Sequence, residues 1–404
     1  MTAVGAARIA SAEQARAVAA ELAAEFALGA ADRDRERALP FAEVRELAAA
    51  GLLAVTVPAD LGGADLPPSE LAEVIRLLAV ADPNIAQIPH SHFVYVNLLK
   101  IAGSADQRRR YLGGVLDGAR IANAQSERGG ATVADIATTV RPLGGGRQFR
   151  IDGVKYYCTG SLFADFLAVL TRLDDPDGAA GLSDGQYVAF LPADTPGVRI
   201  VDDWNGFGQR TTGSGTVSFE NVVVDRDQLV ARTAAVDRPT AYGASAQLLH
   251  AAIDAGIARG ALTAAAEFAR EKSRPWFEAQ VRRAIDDPLL IQRFGELAVA
   301  VTAAEAGLAA AGAAVDAALG APERVGEASL AVATAKILAD RAATEVSGAL
   351  FEVSGTRSAA DDLNLHHFWR NARTHTLHDP VRWKYQHLGR ALLHGSPPPL
   401  HGVI

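Results

Sequence analysis

Ten histidines are spread through the chain, and two of them have a spacing that could do chemistry. His375 and His378 stand three apart, so a helical turn would set both on one face. Imidazole titrates near neutral pH and can give or take a proton. His90-Ser91-His92 is a second concentration of imidazole. Asp379 follows the pair and precedes Pro380, where a carboxylate could act as a base or simply mark a helix boundary. A His pair at this spacing could also be half of a metal site. No matching carboxylate or His pair is evident on another helix, and no metal is expected. Cys158 is the single cysteine, which excludes an intrachain disulfide and a Cys-based zinc site. Thr159, in Tyr157-Cys158-Thr159-Gly160, offers a hydroxyl where a strand turns. An arginine at a turn, Arg357 in Gly355-Thr356-Arg357, suits a terminal phosphate.

Three zones must position these groups: residues 1–118, 119–235 and 236–404. The first reads as helices: Ser11 to Leu28 with Ser11 as cap, Pro40 to Ala50, Ser69 to Ala81 capped by Ser69, Asn84 to Gly103, and Ala105 to Leu116. Val57 to Gly63 is a turn cluster. The second zone reads as short strands, suggesting a small antiparallel sandwich or barrel: Gln148 to Asp152, Lys155 to Thr159, Phe166 to Thr171, Tyr187 to Leu191, Val198 to Val201 and Thr216 to Val224. The third is helical again. Leu290, Phe294, Leu297, Val301, Ala304, Leu308, Ala311, Val315 and Ala318 step alternately by four and three, a seam suited to a helical bundle. Two further seams run from Leu249 to Phe268 and from Ala331 to Val353. The run His394 to Pro399 cannot continue a helix and reads as an extended arm.

Composition narrows the class. Of 404 residues, 49% are apolar and 6% aromatic, ample for a buried core and rich in alanine, which favours close-packed helices. Lys+Arg 39 against Asp+Glu 47 gives a net charge of −8, no reason to bind nucleic acid. No unbroken run approaches ~18 apolar residues, so no membrane span is expected. Met1 to Glu13 lacks a basic-then-apolar leader pattern, and the chain reads as a cytoplasmic enzyme. No Gly-rich βαβ unit for a nicotinamide is present.

The order helices, strands, helical bundle, together with particular motifs, resembles the acyl-CoA dehydrogenase superfamily over nearly the whole chain. Val57 to Gly63 is similar to its P-x-x-x-G-G turn. Asn123-Ala124-Gln125-Ser126-Glu127 looks like its flavin-facing strand followed by Ser/Thr-Glu, and Phe368 to Arg373 occupies the place of its R-D-A-K/R helix. Arg274-Pro275-Trp276, Asp286-Asp287-Pro288 and the long run Trp369 to Pro380 resemble one branch: dibenzothiophene monooxygenases and the related sulfur acquisition oxidoreductases.

That resemblance implies a mostly α fold with a central β-domain and a C-terminal four-helix bundle. It also implies an FMNH2-dependent monooxygenase that oxidises an organosulfur compound through a flavin C4a-(hydro)peroxide. O2 would be the co-substrate and a separate NAD(P)H:flavin reductase the source of FMNH2. On this pattern His92 and His378 lie near the flavin edge. Thr159, Asn123 and Ser126 approach its ring, Arg274 and Arg357 its phosphate, and His375 is a further cofactor contact. Phe93, Trp204, Phe207 and Trp383 are candidates to line the substrate pocket, and a homotetramer is implied. The alternatives are an FAD-dependent acyl-CoA dehydrogenase with Asp379 as base, or a monooxygenase acting at nitrogen or carbon. Two departures favour FMN and oxygenation. The segment Phe351 to Ser358 lacks the paired glycines that hold the ADP half of FAD. Asp379 is shorter than the dehydrogenase glutamate and is followed by proline.

Overall fold

The structure, a computed structural model, describes residues 6–401 and 404. Residues 1–5 of the stretch read for a leader lie outside them. The N-terminal domain comprises α1 (Ala12–Ala27), α2 (Ala30–Glu36), α3 (Phe41–Ala49), α4 (Pro68–Ala81), α5 (Pro83–Gln87), α6 (His90–Ala102), α7 (Ala105–Gln107) and α8 (Gly113–Leu116). The Ser11 hydroxyl caps α1 by accepting the Gln14 N–H at 3.1 Å. Ser69 does not cap α4, which starts one residue earlier at Pro68. Its N–H and hydroxyl instead both donate to the Asp316 carboxylate, tying α4 to the bundle. The expected helix from Asn84 to Gly103 is two helices, because Pro89 has no N–H to carry the ladder across the junction. That break lets α5 and α6 aim different side chains at the same place.

The β-domain holds β1 (Ile121–Ala124), β2 (Thr139–Leu143), β3 (Gln148–Cys158), β4 (Phe166–Leu173), β5 (Gln186–Pro192), β6 (Val198–Val201), β7 (Gly215–Asp225) and β8 (Leu229–Ala231), followed by α9 (Thr233–Val236). The strands form one mixed sheet ordered β6-β7-β3-β2-β4-β5-β8, with β1 beside β4. It is not purely antiparallel as the strand spacing suggested. β1 and β2 share one edge of β4, both parallel to it. Fourteen residues separate Ala124 from Thr139, long enough for such a crossover. The two expected segments 148–152 and 155–159 are one strand, β3. Register shifts interrupt its pairing with β7 between Ile151 and Gly153 and again between Lys155 and Cys158. Tyr157, in the second irregularity, has φ 58, and such a kink re-aims the residues that follow, Cys158 and Thr159.

The C-terminal domain comprises α10 (Tyr242–Glu271), α11 (Pro288–Ala318), α12 (Val325–Ser354), α13 (His367–His375) and α14 (Val381–His394). Leu297, Val301, Ala304, Leu308, Ala311, Val315 and Ala318 are buried as the seam required. A Cβ at Gly256 would lie 2.5 Å from the Ala79 Cβ, so glycine lets α10 lie directly against α4. By length and composition alone α11 could cross a bilayer; a third of its most apolar stretch is buried, where it packs on α10 and α12. Gly395 ends α14 in the left-handed conformation, and the tail leaves without regular structure, as the prolines dictate.

Candidate active site

Four imidazoles from three helical segments meet. His250 comes from α10, His90 from the start of α6, and His375 and His378 from the end of α13 and the turn beyond it. The His90 ring stacks on His250 with centroids 4.0 Å apart. His378 lies 4.9 Å from His250 and 4.8 Å from His375. The hydrogen bonds set each ring's tautomer. Asp254, one turn beyond His250, sits 2.6 Å from His375 Nδ1, so that nitrogen carries the proton. His375 Nε2 then has a lone pair, which accepts from His250 Nδ1 at 3.2 Å. His378 Nδ1–H donates to the His375 carbonyl at 2.8 Å, and the Gln87 amide donates to His378 Nε2 at 2.8 Å. His90 Nε2–H donates to the Ala246 carbonyl at 3.0 Å.

The arrangement favours neutral rings. Burial pulls His90 down to about 4 and His250 and His375 well below the ordinary imidazole value. Burial also lowers His378, but its surface is exposed. Among the four it is the residue that reaches the surface. Nitrogens of His250, His375 and His378 lie within 4.8 Å of one another, so His250 is the third imidazole that sequence spacing did not reveal. The geometry is that of a hydrogen-bonded cluster: His250 and His375 point facing nitrogens at each other, and Gln87 takes that of His378. Asp379 is tied up beside the cluster. Its carboxylate accepts from the Gln247 amide at 2.8 Å, and the Gln247 carbonyl oxygen accepts from Lys384 at 2.9 Å.

His92 lies apart from the four-imidazole cluster. Residues two apart on a helix do not face the same way. His92 therefore turns from the cluster that His90 joins. Its Nδ1 accepts the Ile121 N–H at 3.1 Å and its Nε2–H donates to the Leu53 carbonyl at 2.8 Å. It borders a small cavity of about 20 Å³ with Gly160, the neighbour of Thr159. The Thr159 hydroxyl is buried and shares a 2.8 Å hydrogen bond with Ser214. The Asn123 amide donates to the Ser91 hydroxyl at 2.7 Å, bringing β1 to the start of α6. Ser126 is exposed just beyond that strand.

Arg274 and Arg357 belong together, but not with the imidazoles of the same chain. Both are exposed. Arg357 donates to the Lys272 carbonyl at 2.9 Å, and Ser273 donates to the Ser354 carbonyl at 3.0 Å. α10 and α12 run in parallel, touching at Asp254–Lys336 and again at Ser273–Ser354. From His250 to Glu271 α10 rises about 32 Å at ~1.5 Å per residue. The tether and phosphate of a flavin mononucleotide span roughly 12 Å, at ~3.5 Å per three bonds. A flavin at the His378 end cannot reach the arginines of its own chain.

Several buried polar atoms beside the cluster have no protein partner: Gln87 Oε1, Asn123 Oδ1, both amide atoms of Gln209, and the Thr211 hydroxyl. The loop that carries Gln209 and Thr211 is held by Asn371 of α13 and Asn84 of α5. Gly208 makes this fit possible, since a Cβ there would meet the Arg370 carbonyl at 1.9 Å. Unpaired buried groups cost about 1–3 kcal/mol each. A planar heterocycle with alternating N–H, N and C=O along one edge is a ligand that would pair them. A cavity of about 370 Å³ opens on the other side of His90. Phe93, Leu66, Leu71, Leu249 and Leu319 give it an apolar lining, and Ala246, the partner of His90, is part of its wall. Of the four aromatic residues expected to line a pocket, Phe93 lines this cavity. Trp204 donates to the Gln209 carbonyl, Phe207 packs on Trp369, and Trp383 packs on His387.

Comparison with known proteins decides the lineage. Family models for the N-terminal, middle and C-terminal domains of acyl-CoA dehydrogenase match residues 10–119, 122–222 and 248–383. A dibenzothiophene monooxygenase of Mycolicibacterium goodii is 33% identical over 397 residues, covering 94% of each chain. The chain belongs to the acyl-CoA dehydrogenase superfamily, on its monooxygenase branch. A probable FMNH2-dependent monooxygenase, SfnC, of Pseudomonas putida is 32% identical, covering 95% of each chain. The crystal structure of FMN-bound TdsC from Paenibacillus sp. A11-2 superposes with a TM-score of 0.90 at 33% identity, covering 96% of this chain and all of that one.

Proposed function

We propose that this chain is the oxygenase component of a two-component system that oxidises an organosulfur compound with O2 and FMNH2. The enzyme is a flavin-dependent monooxygenase and its cofactor is FMN. One observation carries the choice against dehydrogenation. The carboxylate that a dehydrogenase would use as a free base, Asp379, is bound by Gln247, and the exposed ring beside it is His378.

The residues present fit the flavin. Asn123 and Gln87 have unpaired oxygens for a ring N–H, and Thr159 can turn its hydroxyl from Ser214 toward a ring nitrogen or oxygen. Arg274 and Arg357 of another copy of the chain would clamp the phosphate with charge-assisted bonds. That requirement supports an oligomer, and we take it to be the homotetramer. Leu289, Ile291 and Val299 are exposed along α11 and offer an apolar face for it. When bound, reduced FMN would supply two electrons and activate O2. His378 would hold a proton at Nδ1, and its Nε2 would meet the reacting oxygen where the Gln87 amide now donates to it. His92 braces α6 against β1 beside Thr159, a supporting place at the same flavin edge. Closely packed neutral imidazoles limit bulk water around the reacting atoms.

The substrate would enter the 370 Å³ cavity. Its lysine, Lys100, is neutralised by Asp65 at 2.8 Å, and the Thr56 hydroxyl is its unpaired buried polar atom. An uncharged sulfur compound, with an apolar body and one hydrogen-bonding atom, matches this better than an anion. A separate NAD(P)H:flavin reductase delivers FMNH2, which places the system in the cytoplasm. The test is stopped-flow mixing of the protein–FMNH2 complex with O2. A transient flavin adduct that decays with sulfoxide or sulfone formation is expected. Direct reduction of protein-bound FAD by an acyl-CoA, without such an adduct, overturns the reading.

A further inference from the structure

Behind the exposed ring of His378 lies a chain of fully buried charge that no part of the oxygenation scheme above uses. Lys336 of α12 donates to Asp254 Oδ2 at 2.8 Å and also to Asp340. Asp254 Oδ1 holds the Nδ1–H of His375 at 2.6 Å, and His375 Nε2 accepts from His250 at 3.2 Å. Lys336, Asp254 and His375 are each 0% exposed, so bulk water is no partner for this chain. Burying an ammonium and a carboxylate is expensive unless both are paired and hydrogen-bonded. An apolar pair would pack α10 on α12 at lower cost. What the ion pair provides instead is direction. Lys336 fixes one carboxylate oxygen, the other dictates the His375 tautomer, and His375 in turn dictates that of His250.

We infer that Lys336, Asp254 and His375 form a buried positioning relay that holds His250 with a lone pair on Nε2, making it a second proton-handling group at the site. The inference rests on the oxygenase reading above. Overall, reduced flavin, O2 and substrate give oxidised flavin, water and oxygenated substrate, so two protons pass from the flavin to the oxygen that leaves as water. A proton arriving at His250 Nε2 allows its Nδ1 proton to move to His375 Nε2. The new charge then rests on His375 against the Asp254 carboxylate. Reversal returns the proton to the site, and no atom is gained or lost. Burial and the Asp254 charge raise Asp340, and the attraction of Asp254 carries Lys336 above its ordinary value against the opposing effect of burial. Geometry sets the starting state of the relay: Lys336 donates to one oxygen of Asp254, and the other accepts from His375.

The test is Asp254→Asn, with the histidine rings labelled by 15N. Lys336 can only donate, so it will turn the new amide oxygen toward itself and leave the NH2 facing His375. His375 Nδ1 must then accept, and the whole chain inverts, with His250 carrying its proton on Nε2. The expected result is exchanged ring-nitrogen signals for His250 and an oxygenation kcat lower by about 10²-fold. His250→Phe, similar in shape and lacking nitrogens, should lose as much, and the double variant no more than either. Unchanged His250 ring signals in Asp254→Asn, or losses that multiply in the double variant, overturn the relay. If Asp254→Asn does not fold, a His250→Phe enzyme with full kcat overturns it. Stoichiometric zinc with His250 and His375 both unprotonated at their facing nitrogens overturns it in favour of a metal centre. Predicted ring tautomers in a wild-type protein that oxygenates nothing would leave the relay standing and refute the oxygenase reading.

Discussion

A flavin site divided between two copies of the chain can be tested by mixing two damaged ones. Arg357→Ala removes a phosphate contact near the C-terminal end of α12, and His378→Ala removes the exposed imidazole at the other end of the bundle. A charge-assisted contact is worth about 1.5–3 kcal/mol, so Arg357→Ala should weaken FMNH2 binding by ~10- to 150-fold. At FMNH2 concentrations well below the variant's Kd, either variant alone is nearly inactive. The separation of about 32 Å along α10 requires His378 and Arg357 of one site to come from different chains. In a randomly assembled equal mixture, a site has an intact His378 with probability one-half and an intact Arg357 with probability one-half. About a quarter of the sites are then whole, and activity should recover to about a quarter of the unmodified enzyme. The assay is product formation by co-expressed, differently tagged variants purified as mixed oligomers. If both residues acted within one chain, every site would carry a lesion. Activity no greater than the mean of the parents therefore refutes the divided site.

Three further outcomes follow from the geometry. His378→Ala should lower oxygenation by about 10²–10⁴-fold and release hydrogen peroxide, while Asp379→Asn loses much less. Full activity in the first with none in the second, measured with an acyl-CoA, would restore the dehydrogenase alternative. His92→Ala should destabilise the fold by about 1–3 kcal/mol, read by denaturant unfolding, because the Ile121 N–H and Leu53 carbonyl lose their partner. Burial lowers both His92 and His367 to about 4, so the unfolded chain binds protons there that the folded one does not. Stability should therefore fall as pH drops from about 6.5 toward 4, by up to ~1.4 kcal/mol per pH unit for each ring. A flat unfolding midpoint across that window contradicts the neutral burial.

The parts of the fold that were legible from sequence are those where one local pattern decides one local outcome. The α11 seam buries the residues its spacing selects from Leu297 onward, leaving Leu290 and Phe294 half-buried at its start, and Ser11 caps α1 as its side chain suggests. What failed was governed by partners distant in sequence. Ser69 looks like a cap, but Asp316 from another domain provides the acceptor. β3 reads as two strands because its interruptions are irregularities in pairing with β7, which are invisible in one strand alone.

The site shows the same division with sharper consequences. The His375–His378 spacing was visible because both belong to one turn. His250 was not, though Gln247, His250 and Asp254 stand at i, i+3 and i+7, on one face of the buried first half of α10. Three polar residues in that stripe have no solvent to face, so each needs a partner from a neighbouring element. Lys336 and Asp340, one turn apart beside the α12 seam, are the complementary signal. Charges within a seam mark the two helices that must meet there, and the smaller, ordered set of hydrogen bonds between them fixes which imidazole nitrogen faces the chemistry. Selection between His90 and His92 rests on the same principle. Two positions along a helix turn a ring by roughly 200°, so one joins the cluster and the other braces the β-domain. Residue type could nominate both, but only the helix they share, and what packs on either side of it, assigns them.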